Sequence, residues 1–251
     1  MSILNEAMIK FKELISEKGL INTEISVRVA PLTASEAIGN PQRRDYPIIE
    51  GKERMIEALF SDSKGQAFTD SPSDFSGTLK EVMGLDISKN CNRAKIIAVI
   101  NAVLKHLNIT SQTVHCKNEE PEKCSKEMME HILQKYGMIK VGLIGLNPSI
   151  AEALVNSFGA DNVRITDLNR KNKGVFKYGV EIWDGKERTE DLVKDSDLIL
   201  ITGTTLVNGS LDKILDYVKE YGKEYAVYGT TIAGVSSLMN LNRLCFYGSD
   251  E

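Results

Sequence analysis

One stretch of the chain, Asp197–Asp212, limits its fold more than any other. The apolar run Leu198–Ile201 ends at Thr202-Gly203, and Ser210 then opens a segment with apolar residues at helical spacing. A short apolar run between turn signals is typical of a parallel strand buried on both faces. In open α/β sheets, ligands bind in the crevice beyond the carboxyl ends of the strands. The loop after this strand is therefore a candidate binding site.

This loop carries hydroxyls and an amide at Thr204, Thr205 and Asn208, but no His, Cys or carboxylate. Such groups suit a polar or anionic ligand better than proton exchange. The alternative is an ordinary strand-to-helix turn with Ser210 as the N-cap. Both readings stay open.

The rest of the chain divides into two patterns. Residues 125–251 alternate apolar runs with amphipathic segments, which predicts a doubly wound, mostly parallel sheet. The pattern of residues 1–108 predicts an α+β domain. Its predicted elements are a helix at Ile3–Lys18, strands at Glu24–Val29, Ile48–Ile49, Arg54–Phe60 and Gly65–Thr69, and helices at Phe75–Met83 and Asn92–Leu107. Asn92–Leu107 is apolar almost all round, so we expect it to be buried. Residues 109–124 are polar and charged and are interpreted as a linker.

A partial nucleoside-binding pattern follows the first strand of the second domain. Gly142 and Gly145 precede Asn147-Pro148, and Asp167 lies 22 residues after Gly145. A glycine turn with an acidic residue about 20 positions on is the layout of a Rossmann site, in which the carboxylate binds ribose. However, Pro148 lacks an N–H that a pyrophosphate would use, which disfavours NAD. The alternative is that Asn147 or Ser149 caps a helix and Asp167 ends a strand at the surface.

The cysteines give a weaker signal. His115, Cys116 and Cys124 suggest a metal site, but a C-x7-C spacing lacks the short chelate of zinc sites. The alternative is a solvated linker with incidental thiols, and Cys245 is interpreted as a core residue. In the first domain, Thr69 and Asp70 end a predicted strand and could face the crevice of the second domain. Asn101, an amide in the apolar helix, must brace a loop or reach a ligand if it is buried.

The composition of the chain argues against two classes of partner, nucleic acids and membranes. The net charge of −4 argues against a general nucleic-acid partner. The chain has no apolar run as long as a membrane helix requires. We therefore expect a cytoplasmic protein with reduced thiols that acts neither on nucleic acid nor in a membrane. A small-molecule ligand is the expected partner, and a homodimer is one candidate for the oligomeric state, which the sequence does not determine.

The chain resembles the putative heavy-metal chelation family of bacterial and archaeal proteins. The matching segments are ITGTTLVNGSLDKIL at 201–215, AVINAVL at 98–104, GQAFT at 65–69 and VGLIGLNPSI at 141–150. The resemblance implies an enolase N-terminal-like α+β domain, then a Rossmann-like domain similar to methyltransferases, with a pocket between them. It also implies metal chelation, or chemistry on a siderophore-, pterin- or flavin-like molecule. The turn Gly229-Thr230-Thr231-Ile232 departs from the family's Gly-Pro-Ser-like turn and leaves Thr230 as a hydroxyl ligand.

Three functions are therefore compatible with the sequence. The first is a small-molecule binding protein or enzyme acting on a metal-chelating organic molecule or its metal complex, by condensation or hydrolysis if it is catalytic. Its candidate acid/base groups are Asp70 and Asp167. Its candidate ligand-binding residues are Thr69, Gly145, Asn147, Asp167, Thr204, Thr205, Asn208 and Thr230. The second is an S-adenosylmethionine-dependent methyltransferase, and the third is a non-enzymatic metal-binding or regulatory module.

Overall fold

The computed structural model of the chain describes residues 1–21, 27–51 and 53–250. It is a mixed α/β structure with two sheets, one antiparallel and one mostly parallel. The helices are α1 (Ile3–Glu17), α2 (Ala34–Ile38), α3 (Leu79–Val82), α4 (Asn90–His106), α5 (Glu120–Tyr136), α6 (Pro148–Phe158), α7 (Thr189–Asp195), α8 (Thr204–Asn208), α9 (Leu211–Glu220) and α10 (Ala233–Met239). The strands are β1 (Val27–Leu32), β2 (Arg54–Phe60), β3 (Ser63–Thr69), β4 (Phe75–Gly77), β5 (Val141–Ile144), β6 (Val163–Asp167), β7 (Phe176–Lys177), β8 (Val180–Asp184), β9 (Leu198–Thr202), β10 (Glu224–Tyr228) and β11 (Arg243–Leu244).

The first sheet has the order β3-β2-β1-β4 and is antiparallel. The helix predicted over Phe75–Met83 is correct only for its second half, because Phe75–Gly77 pairs with β1 as an edge strand. The helix α3 begins only after Thr78, whose hydroxyl accepts the backbone N–H of Glu81 while the Glu81 carboxylate accepts the N–H of Thr78. This reciprocal capping box fixes the helix start.

The second sheet has the order β11-β10-β9-β5-β6-β8-β7. Its neighbouring strands are parallel except β7, which pairs antiparallel with β8. The predicted mostly parallel sheet is therefore confirmed. The strand order reverses direction between β5 and β9, which makes their carboxyl ends the topological switch point of the sheet.

The helix α4 lies between the two sheets. Its residues 94–104 are all buried, as the apolar pattern predicted. It packs against β3 on one side and against α8 and α10 on the other, and its side chains belong to a core that includes residues of both sheets, such as Phe60 and Ile201. A helix surrounded in this way needs apolar residues on every face.

Several local expectations differ from the structure. Ile48–Ile49 lies in a turn and not a strand, and residues 34–38 form α2 where a loop was expected. The segment Thr204–Asn208 is also helical, and α5 begins at Glu120 instead of after Ser125. The predicted strand Leu244–Tyr247 is shorter, since β11 ends at Leu244.

Part of one predicted strand, residues 24–26, lies outside the described residues. In the described part of the chain, no helix has both the length and the apolar character that a membrane crossing requires.

Candidate functional site

A cavity of about 1030 Å³ lies at the carboxyl edge of the parallel sheet and extends to the end of β3 in the first sheet. Pockets for small organic ligands typically occupy roughly 300–1,000 Å³. All residues singled out from the sequence as site candidates line this one cavity: Thr69, Asp70, His115, Cys116, Cys124, Gly145, Asn147, Asp167, Thr204, Thr205, Asn208 and Thr230. That they bind a ligand stays a prediction.

Glycines shape the switch point at the cavity floor. Gly145 follows β5 with a φ of +89°, and a Cβ there would lie 2.5 Å from Cγ2 of Thr202 on the neighbouring strand β9. A side chain is therefore excluded by both conformation and space. Gly203 follows β9, where a Cβ would lie 3.0 Å from the backbone nitrogen of Ile232. The two strand ends can thus approach each other and the turn after β10.

Asn147 and Asn208 flank this switch point and use their side chains in the same way. Oδ1 of Asn147 accepts hydrogen bonds from the N–H groups of Ser149 and Ile150, so Asn147 is the N-cap of α6. Oδ1 of Asn208 accepts from the N–H and hydroxyl of Ser210. The Nδ2 groups of both asparagines have no hydrogen-bond partner among the described residues. Each amide therefore holds its own turn and keeps two donors for the cavity.

Asp167 ends β6, as predicted, but its carboxylate already has three donors. Leu146 and Asn169 donate their backbone N–H groups over 2.9 and 2.8 Å, and Nδ2 of Asn172 donates over 3.0 Å. An ionised carboxylate has about four acceptor sites. Asp167 thus ties the Gly145 turn to the loop after β6, and about one acceptor site remains for a ligand.

Some threonine hydroxyls at the strand ends form hydrogen bonds within the protein, and others do not. Thr205 donates to the carbonyl oxygen of Thr202 over 2.7 Å, and Thr204 donates to the Thr202 hydroxyl. In contrast, the buried Oγ1 atoms of Thr166 and Thr230 have no hydrogen-bond partner. Leaving a buried hydroxyl without a hydrogen-bond partner costs roughly 1–3 kcal/mol of free energy. A small rotation of either side chain that let its hydroxyl bond to a polar group of a ligand would recover this cost.

A carboxylate that sequence reasoning missed also lines the cavity. Glu53 precedes β2, and burial together with the nearby charges of Asp167 and Asp70 raises its pKa to about 7. Asp70 is held by Nδ2 of Asn90 over 3.3 Å. A carboxyl group that titrates near neutral pH can both accept and release a proton during a reaction. The sequence gives no signal for this, because the three carboxylates are brought together only by the packing of the two sheets.

The segment 39–51 forms one wall of the cavity through Asp45, Tyr46 and Ile48. It is attached to the second half of the chain by Arg43, which forms ion pairs with Glu122 and Glu152 and donates to the hydroxyl of Tyr178. Tyr46 adds a hydrogen bond of 2.8 Å to Glu122. The contacts of this wall with the second half of the chain are therefore polar, whereas Tyr46 and Ile48 are buried in a small apolar cluster with residues of the first half.

Cys116, Cys124 and Cys245 share another part of the cavity wall. The expectation that the first two lie in a solvated segment is wrong, because Cys116 is 7% exposed and Cys124 is half-buried. The interpretation of Cys245 as a core residue is also wrong, since it follows β11 and faces the cavity. Nδ1 of His115 donates a hydrogen bond to the carbonyl oxygen of Cys116 over 2.6 Å, and burial lowers the pKa of the imidazole.

Metal binding by side chains alone does not fit this arrangement. Within residues 1–21, 27–51 and 53–250, no group of three or more His, Cys, Asp or Glu side chains is placed to hold a metal ion. The side chains of these residues therefore do not support a metal ion that is bound to the protein alone.

The comparisons with known proteins agree with the resemblance seen in the sequence. The model of the family described as putative heavy-metal chelation matches residues 127–240. A crystal structure of a protein of unknown function from that family, from Pyrococcus horikoshii, is 16% identical, covers 92% of this chain and 80% of its own, and has a TM-score of 0.52. A second, from Desulfitobacterium hafniense and also of unknown function, is 12% identical, covers 74% of this chain and 72% of its own, and has a TM-score of 0.51. No curated protein matches the chain. These structures support the fold and leave the reaction open.

Proposed function

We propose, taking residues 127–240 as a domain of the putative heavy-metal chelation family, that this protein binds an organic metal chelator or its metal complex in the cavity. The atoms with which a chelator binds metal are lone-pair donors, and the same atoms accept hydrogen bonds from a protein. A cavity suited to such a molecule should therefore present N–H and O–H donors from fixed positions.

The single observation that carries this proposal is the pair of free amide Nδ2 groups on Asn147 and Asn208. They stand on the two sides of the switch point, where open α/β sheets bind ligands. Their orientation is fixed because Oδ1 of each accepts backbone N–H groups. Donors fixed in this way lose little conformational freedom when a ligand binds.

The metal, in this proposal, is cargo and not a cofactor. The described residues do not form a side-chain site for a bare ion, so the organic molecule would supply most of the metal's ligands. Siderophore-, pterin- and flavin-like molecules are all acceptor-rich and fall within the size of the cavity. The non-enzymatic metal-binding module based on His115, Cys116 and Cys124 is correspondingly less well supported.

The order of the parallel strands supports a Rossmann-like second domain. Without β7, the sheet reads 6-5-4-1-2-3 from β11 to β8, which is the order of dinucleotide-binding sheets. We interpret the first sheet with its helices as the enolase N-terminal-like unit, and we keep 1–108 and 125–251 as the proposed domain ranges. A methyltransferase remains the alternative, although Asp167 has about one acceptor site left for a ribose.

If the protein also catalyses a reaction, Glu53 is the acid/base group that the site supports best. Its pKa of about 7 permits proton transfer at neutral pH, as a condensation or hydrolysis requires. Asp70 and Asp167 would then act mainly through their charge, which keeps the proton on Glu53. The expected homodimer and the cytoplasmic location stay predictions.

The proposal is tested by native mass spectrometry of gently purified protein, followed by titration with a ferric hydroxamate, a pterin, a flavin and S-adenosylmethionine. We expect one acceptor-rich molecule per chain, and binding that weakens at least tenfold in Asn208→Asp, which keeps Oδ1 but loses the Nδ2 donors. Asn156→Ala is the matched control, because Asn156 is exposed on α6 and does not line the cavity. Binding of S-adenosylmethionine alone would favour the methyltransferase, and no binding by any probe or co-purified molecule would overturn the proposal.

A further inference from the structure

Arg93, in the first turn of α4, joins three segments of the chain through its guanidinium group. Its Nε donates to the carbonyl oxygen of Val207 over 2.5 Å, its Nη1 donates to that of Ile87 over 2.6 Å, and its Nη2 donates to Oδ1 of Asn90. Arg93 does not itself line the cavity. Because the planar guanidinium group presents its donors in a fixed geometry, three acceptors hold it in one orientation. Arg93 is therefore a rigid link between α4, the loop before it and the end of α8.

The same guanidinium group lies against the turn that carries Asn208. The carbonyl that Nε binds belongs to the peptide unit that joins Val207 to Asn208, at the end of α8. The last carbonyls of a helix have no partner within the helix, and basic side chains can bind them. After Asn208, a Cβ on Gly209 would lie 3.6 Å from Nη2 of Arg93. The guanidinium group therefore borders the residues on both sides of Asn208.

Arg93 also connects this turn to a carboxylate at the end of the first sheet. Asn90, whose Oδ1 accepts from Arg93, donates through Nδ2 to both carboxylate oxygens of Asp70 over 3.3 Å. Asp70, Asn90 and Asn208 all line the cavity. A chain of hydrogen bonds thus runs from Asp70, which follows β3, to the peptide unit that precedes the α-carbon of Asn208. A side chain outside the cavity links two groups that line it.

We propose that Arg93 is a positioning residue, which holds the amide of Asn208 where a ligand can reach it without touching the ligand itself. This inference rests on the proposed function, in which Nδ2 of Asn208 donates to the bound molecule. A donor that the protein already holds in place loses little conformational freedom on binding, so loosening it lowers affinity. Lysine does not replace arginine here, because one ammonium nitrogen lacks the fork that reaches acceptors on three segments.

The first test needs no ligand and measures NMR order parameters of the side-chain N–H groups of Asn208 and Asn147. In Arg93→Lys we expect the Asn208 value to fall below about 0.6, the range of flexible groups. The value for Asn147 should stay unchanged, because its Oδ1 is held by α6. Arg164→Lys is the matched control, since Arg164 also donates to two carbonyl oxygens but does not line the cavity. An Asn208 amide that is as ordered in Arg93→Lys as in wild type would overturn the proposal.

The second test measures binding of a ferric hydroxamate by calorimetry, as a double-mutant cycle. We expect Arg93→Lys to weaken binding roughly tenfold when Asn208 is present, but less than about twofold in the Asn208→Asp background, since two substitutions that act through one amide are not additive. The control Arg164→Lys should change the affinity less than about twofold in either background. Full additivity of Arg93→Lys and Asn208→Asp would show that Arg93 acts elsewhere, and it would refute the positioning role.

The two tests separate a failure of this inference from a failure of the proposed function. If the wild type binds no ferric hydroxamate, that result counts against the proposed function, while the order parameters still decide whether Arg93 positions Asn208. If the melting curve shows that Arg93→Lys does not fold, Asn90→Ala takes its place, because it removes one acceptor of the guanidinium group. This variant should lower the order of the Asn208 amide to a smaller extent, and an unchanged amide would overturn the proposal.

Discussion

The amide of Asn101 should contribute more to stability than any other single polar side chain between the two sheets. It is 0% exposed, and its Nδ2 lies 2.9 Å from the carbonyl oxygen of Gln66 in β3 and 3.1 Å from those of Thr230 and Thr231. Its Oδ1 accepts the N–H of Gly234 over 2.7 Å. One side chain therefore joins α4, the first sheet and the turn after β10. Of the two roles expected for a buried Asn101, bracing a loop and reaching a ligand, the structure shows the first.

The substitution Asn101→Leu, which keeps a similar volume, tests this role. Thr230 retains the N–H of Ala233 as a donor, but Asn101 is the only hydrogen-bond partner of the Thr231 carbonyl and the Gly234 N–H among the described residues. Two orphaned buried groups at about 1–3 kcal/mol each predict a loss of about 2–6 kcal/mol in the free energy of unfolding. That is a large part of the ~5–15 kcal/mol that stabilises a typical domain.

Urea unfolding measures this loss, with the fluorescence of Trp183, the single tryptophan, and far-ultraviolet circular dichroism as independent probes. We expect the two curves to coincide in wild type because the sheets share one core. The control Asn156→Leu changes an exposed asparagine and should stay within about 0.5 kcal/mol of wild type. A loss below about 1 kcal/mol for Asn101→Leu would refute the reasoning.

Two side chains that line the cavity, Glu53 and Asn208, and Arg43, which holds one wall of it, give further expected outcomes. The pKa of Glu53 rises from 4.5 to about 7 on folding, so the contribution of its protonated form to stability is complete below pH 4.5 and is lost as the pH rises through 7. In urea titrations, the free energy of unfolding of Glu53→Gln should therefore equal that of wild type near pH 4 and exceed it by roughly 3 kcal/mol above pH 7. A difference that does not change with pH would contradict this. Arg43→Met should accelerate limited proteolysis within residues 39–51, whereas Arg44→Met, at an exposed neighbour, should not. Asn208→Ala should lower the free energy of unfolding by only about 1 kcal/mol but abolish ligand binding in calorimetry; a variant that binds normally would make Asn208 a turn residue only.

The sequence predicted the parallel sheet well because its strands are short apolar runs that alternate with amphipathic helices. Leu198–Ile201 is buried throughout, and Val163 and Ile165 are buried on either side of the partly exposed Arg164, as is typical of strands inside a parallel sheet. The strand ends could then be located, and with them Gly145, Asn147 and Asp167. Position in the sheet was predictable since it follows from periodicity alone.

The first half of the chain was less predictable, since its structure depends on distant contacts. Phe75–Gly77 follows Ser73 and Asp74, which resemble a helix cap, yet it becomes a strand because β1 offers an unpaired edge. The true capping box, Thr78 with Glu81, was present in the sequence and was overlooked. Conversely, Thr204–Asn208 is helical despite β-branched residues, because Leu206 and Val207 enter the core and Arg93 donates to the Val207 carbonyl.

The positions of the candidate residues at the cavity could be predicted from the sequence, whereas the contacts of their side chains could not. The strand-end hydroxyls and amides were found from their place in the sheet, but the use of Asp167 as a brace depends on the backbone of Leu146, which no spacing reveals. Glu53 and Cys245 were missed as cavity residues, since one follows a turn and the other lies beyond the last strand. Only the tertiary packing places these two side chains at the cavity.

The position of α4 also limits how fast a ligand can enter or leave the cavity. A hinge motion that separated the two sheets would expose the helix's apolar faces to water, at a free-energy cost of about 25 cal/mol for each Å². Exchange by that route should be rare. The polar attachments of segment 39–51 can break individually, and salt weakens them. We therefore expect the residence time of a bound molecule to shorten as ionic strength rises, while the fold itself stays intact.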